Sequence, residues 1–332
     1  ALTDADYNVA VGYDSLAIDT LGSKAVALGY AALSTQNFTS ATDNFNTAVG
    51  FAAGSGITTG TLNTLIGGLA GDAITTGSNN VALGHDSLGL NTTGDSNTAI
   101  GEDALQANTT ASNNVAVGRR AMFTNTTGTD NVAMGHNALD ANTTASNNTA
   151  IGHDALTENT TGTRNTAVGN AALTTNTTGD FNTAVGSHSL FYNTTASNNT
   201  ATGYLALHKT TTGANNSAVG FGALEENTTG ISNTAVGSRA LDANTEGDSN
   251  VAIGLNSLSA NTTADNNTAV GTSALNANTT GTNNTALGSA ALVANTTGSY
   301  NSAVGMVALD ANIDGDANTG LGYGALSDNT TA

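Results

Sequence analysis

Small and aliphatic residues recur along this chain every seventeen positions, and residues 165–181, N-T-A-V-G-N-A-A-L-T-T-N-T-T-G-D-F, give the pattern its clearest form. Counting from Asn165, position 5 is glycine in every copy, from Gly12 to Gly322, and Gly169 and Gly186 are typical. Position 4 is aliphatic (Val168, Val185), position 8 is Ala or Ser, and position 9 is Leu (Leu173, Leu190). Positions 1 and 12 are asparagine (Asn165, Asn182 and Asn176). A fixed period of this size is the mark of a solenoid, in which each repeat is one rung.

The pattern predicts an all-β, parallel β-solenoid (β-roll) of about nineteen rungs with two short strands per rung. The first strand covers positions 2–5 and the second positions 8–10, with glycine marking a corner between them. Asn-Thr-Thr-Gly closes the rung with turn chemistry. On this reading Val168 and Val185 face Leu173 and Leu190 in a narrow core, with a rung spacing of ~4.8 Å. The stacked asparagines are expected to form amide ladders along the axis. Positions 3, 5 and 8 then form an outer strip of small residues, a candidate assembly surface carried by Ala167, Ala172, Ala184, Ala218 and Ala223.

The chain reads as one repeat domain over residues 1–332, irregular in about 25–79 and regular in 80–332. Four extra residues fall within 34–45. Gly54 and Gly71 replace the position-9 leucine, while Ile57 and Ile74 enter the asparagine column. Both ends continue the repeat without a cap, at residues 1–7 and 330–332, so end-to-end stacking or a longer natural chain is expected.

The string N-[TSV]-A-[VIL]-G-x-x-[AS]-L resembles the head repeats of trimeric autotransporter adhesins. The longer form, ending N-T-T-G, resembles repeats of bacteriophage tail fibres and large bacterial surface proteins. The resemblance covers practically the whole chain. It implies a parallel β-roll, commonly a homotrimer, on a cell surface or virion. Stalk, barrel anchor and chaperone tail are the parts of the full adhesin pattern that this stretch does not carry.

Composition narrows the function. Asp and Glu outnumber Lys and Arg by 25 to 6, a net charge of −19, which argues against nucleic-acid binding. Charged residues are only 9% of the chain, so the surface is expected to be mainly Asn, Thr, Ser and Gly. Without cysteine there is no disulfide or zinc–thiolate chemistry, and no apolar run reaches the length of a membrane helix. No nucleophile–base pair recurs, so an enzyme is not expected.

Two weak metal candidates exist. His136 and His153 occupy one column beside Asp154, a transition-metal pattern. Asp86 and Asp103 stack next to Glu102, where calcium could bridge the carboxylates and Arg120 could offset them. The expected function is an extracellular structural fibre, filament or adhesin-type protein without cofactor. Its partners would be itself, as homotrimer or end-to-end polymer, and cell-surface glycans or proteins. The alternative is an ice-binding solenoid using threonine columns such as Thr177 and Thr178.

Overall fold

The computed structural model describes residues 5–331, so the repeat expected in residues 1–4 and at Ala332 lies outside the described residues. The chain divides into two compact units, Ala1–Asn165 and Thr166–Ala332. Both are parallel β-solenoids with a seventeen-residue rung. In the first unit, nine three-residue strands from Val9–Val11 to Thr149–Ile151 stack in register. In the second, ten run from Thr166–Val168 to Thr319–Leu321. Identical repeat positions pair throughout, as in Ala167↔Ala184 and Val168↔Val185. The four extra residues of the second rung accommodate a separate two-stranded pairing of Gly22–Ser23 with Thr42–Asp43.

Each regular rung contains one strand, at positions 2–4, rather than two. The second expected strand is a run of turns, because Leu173 and Leu190 adopt left-handed φ values of 53° and 49°. Such a conformation is uncommon for leucine and costs roughly 1–2 kcal/mol. Complete burial of both leucine side chains offsets that cost. The turns still join neighbouring rungs through their backbone: Leu173 N–H donates to Ser189 O at 2.9 Å and Thr177 N–H to Thr194 O at 2.9 Å.

Strand phase is the opposite of that expected. Ala167, Ala184 and their equivalents at position 3 point inward and are fully buried, whereas Val185 at position 4 is 37% exposed and Val168 is half-buried. The interior therefore combines the position-3 and position-8 alanines with the position-9 leucine. Its other occupants are two asparagines, Asn165 and Asn176 in the reference rung, both without solvent exposure.

Buried amides need partners, and here they close the rung. Asn97 Nδ2 and Asn108 Nδ2 both donate to Ala111 O, at 2.9 and 3.0 Å. They also link rungs: Asn108 Nδ2 donates to Asn91 Oδ1 at 2.8 Å, and the Asn97 backbone N–H to Asn80 Oδ1 at 2.9 Å. The expected ladders are present, but they lie inside the solenoid.

Position 5 admits only glycine. Gly186 has φ 135°, and a β-carbon there would lie 2.5 Å from Gly203 O in the next rung.

Candidate functional site

A strand with Ala inside must present its two flanking residues outside. Each rung therefore carries a β-branched or hydroxyl residue at position 2 and an aliphatic one at position 4 on its outer face. In the first unit Leu83, Met134 and Ile151 are exposed, and in the second Val219, Val236 and Ile253. Parallel pairing in register sets these residues side by side from strand to strand, making an apolar row in each unit that only Thr202 in the second interrupts. Thr202 is the one polar residue at position 4. A contiguous apolar row of this kind marks an interaction surface more often than a bare exterior.

The candidate assembly strip, in contrast, is not on the surface. Ala167, Ala172, Ala184, Ala218 and Ala223 are all fully buried inside their own rungs and cannot meet a second chain. Likewise the asparagines at positions 1 and 12 are spent on internal ladders. Of the two threonine columns, Thr178 is exposed, whereas the half-buried Thr177 donates its hydroxyl proton to Thr194 O at 3.0 Å.

No protein-family profile, curated protein or solved structure matches this chain.

Among the described residues, His136, His153 and Asp154 form the one group of three possible metal ligands that converges. Their ligand atoms lie within 4.8 Å of one another. The two imidazoles stack with centroids 5.1 Å apart and planes 16° apart, so their in-plane lone pairs run side by side. A shared ion needs nitrogens aimed at one point, each about 2 Å away. His136 Nε2 faces Arg119 Nη1 at 3.4 Å, while His136 Nδ1 is buried without a hydrogen-bond partner. His153 Nδ1 contacts Asp154 Oδ2 at 3.0 Å. With the two rings stacked face to face, the column reads as aligned side chains.

Asp86 and Asp103 join no converging group among the described residues. Asp86 Oδ2 accepts from Gln106 Nε2 at 3.3 Å. Arg120 does not serve them. It pairs with Asp140 Oδ2 at 3.2 Å and lies over the Phe123 ring at 4.2 Å, while Arg119 contacts Glu102.

Stacked aromatics are a feature the repeat analysis missed. Tyr13, Tyr30 and Phe51 form a column at position 6 with centroids 5.5 and 5.3 Å apart. The signal was available, since position 6 is aromatic in three successive rungs.

Proposed function

We propose that this chain is a structural protein that assembles with copies of itself into an extracellular fibre, filament or adhesin-type element, and performs no catalysis. The observation that carries the reading is the row of outward aliphatic residues at position 4. Its period supports a second copy of this chain as the occupant. A surface offering one apolar side chain per ~4.8 Å strand spacing is matched at every rung only by a partner with the same spacing. Lateral pairing of such rows removes apolar area from water along the length of the sheet, at roughly 25 cal/mol per Å². A homotrimer, with three rows turned toward one axis, covers them all; end-to-end stacking is compatible with the same contact. Placement outside the cell, on a cell surface or virion, is part of this proposal.

Sedimentation velocity on the intact chain and on the double variant Val219→Lys, Val236→Lys tests it. Both valines are exposed, so the fold should survive, as checked by circular dichroism. The expected result is an oligomeric mass for the unsubstituted chain and a folded monomer for the variant. A monomeric unsubstituted chain overturns the proposal.

A further inference from the structure

In the second unit, one stretch departs from the repeat on consecutive rungs. Position 11 is Ala at Ala243, Ala260 and Ala277, but Tyr192 and Lys209 on two neighbouring rungs. Beside them Phe191 and His208 occupy position 10. Tyr192 packs edge-on against Phe191 and His208, with centroids 4.7 and 5.2 Å apart, yet 46% of it stays exposed. Together these substitutions raise a wall along an open groove of about 510 Å³, lined by Thr175, Tyr192, Thr194, Lys209, Thr211 and Thr228.

The lining has a definite chemistry. Each threonine gives its hydroxyl proton to a backbone carbonyl in the following rung. Thr175 donates to Phe191 O at 2.7 Å, Thr194 to Thr211 O at 3.2 Å, and Thr228 to Thr245 O at 2.9 Å. The hydroxyls are thereby held as acceptors and the methyl groups are fixed, so a ligand meets a preorganised surface. Lys209 Nζ donates to Glu226 Oε2 at 2.7 Å. That hydrogen bond is the first cause holding the Lys209 ammonium above its ordinary pKa, so it stays charged at neutral pH. The pair supplies a donor and an acceptor with no net charge.

We infer that this groove binds a short neutral oligosaccharide. A pyranose offers what the lining can use. Its C–H face lies on an aromatic ring, whose face is electron-rich. Its hydroxyls donate to fixed threonine oxygens and reach the Lys209–Glu226 pair. The lining spans four rungs, or three spacings of ~4.8 Å, and the rung step is comparable to the length of one sugar ring along a chain. An anionic sugar is disfavoured because Glu226 already neutralises Lys209 and the chain carries a charge of −19.

The test is saturation-transfer NMR and titration with cellotriose, xylotriose, maltotriose, mannotriose and chitotriose, with a trisialoside as the anionic comparison. Variants are Tyr192→Ala, Lys209→Ala and the control Tyr300→Ala, an exposed tyrosine on another rung. The expected result is saturable binding of at least one neutral trisaccharide. It should weaken at least tenfold in Tyr192→Ala, weaken measurably in Lys209→Ala and be unchanged in Tyr300→Ala. Absence of binding by every neutral probe, equal binding by Tyr192→Ala, or preference for the trisialoside overturns the inference. Oligomer mass is measured separately, so failure here is distinguishable from failure of the assembly proposal.

Discussion

Leu65 fills the space that a side chain at Gly71 would need. A β-carbon on Gly71 would stand 2.8 Å from Leu65 Cδ2, and one on Gly54, a rung earlier, 2.7 Å from Leu65 Cδ1. Leu65 occupies position 3, where the regular rungs have alanine, and the two glycines occupy position 9, where they have leucine. Ile57 and Ile74, fully buried in the asparagine column, complete the exchange. The irregular rungs are thus a repacked core in which bulk has moved from one wall to the other.

Leu65→Ala should therefore cost about 2–5 kcal/mol, because position 9 is glycine in its own rung and in the preceding one, Gly71 and Gly54, and neither can fill the cavity. Gly71→Leu should also destabilise, through overpacking. Combined, they should lose much less than the sum, which a double-mutant cycle by urea denaturation would show. Additive losses would contradict the exchange.

Thr210 interrupts the position-12 ladder. Its Oγ1 and Asn193 Oδ1 are both buried without a hydrogen-bond partner. Thr210→Asn should stabilise the second unit by about 1 kcal/mol, as a restored amide pairs with Asn193. Thermal unfolding would register the gain, and a lowered midpoint would contradict it.

Gly186→Ala should destabilise strongly. Strain at its φ of 135° costs roughly 1–3 kcal/mol, and the collision with Gly203 O adds to that. Gly222→Asn provides the contrast. Gly222 has φ 59°, a conformation that Asn137 and Asn256 adopt at the same repeat position, and its β-carbon would meet the mobile end of Glu225 and touch Arg239 Cγ at an ordinary 3.8 Å. That change should stay within about 0.5 kcal/mol.

Asp72 holds its proton to higher pH than a free aspartate, because of burial first and the nearby Asp86 carboxylate second. Between the ordinary value of 3.8 and the raised one, the folded chain binds more protons than the unfolded chain. Stability contributed by this group therefore falls as pH rises through that window. Asp72→Asn should raise the melting temperature at pH 7, and the gain should vanish below the ordinary value. A gain independent of pH would contradict the assignment.

Period, register, the position-5 glycine and the burial of Leu173 could all be read from the sequence, because each follows from spacing alone. The phase of the strand could not. Alternation allows either Ala167 or Val168 to face inward, and a one-residue change of phase exchanges the two faces. Hydrophobicity favours valine inside. Space decides otherwise: even the β-carbon of an alanine at Gly320, a position-3 site, would lie 3.2 Å from Leu309 Cγ. Leucine enters this position at Leu65, where position 9 of its own rung and of the preceding one is glycine. Once alanine is inside, the aliphatic row moves to the surface and the small-residue strip disappears into the core. The left-handed leucine was equally invisible, since Ala-Leu-Thr fits a strand as well as a turn. Tyr192 and Lys209 were visible as letters, but their shared groove depends on rung stacking.

Both asparagine columns run in one sense. In each unit the side-chain carbonyl of a rung accepts from the rung that follows, as Asn91 Oδ1 does from Asn108 and Asn80 Oδ1 from the Asn97 backbone. The amide dipoles in a column therefore add instead of cancelling, and each bond polarises the next. A newly formed rung turns unsatisfied acceptors toward residues synthesised later.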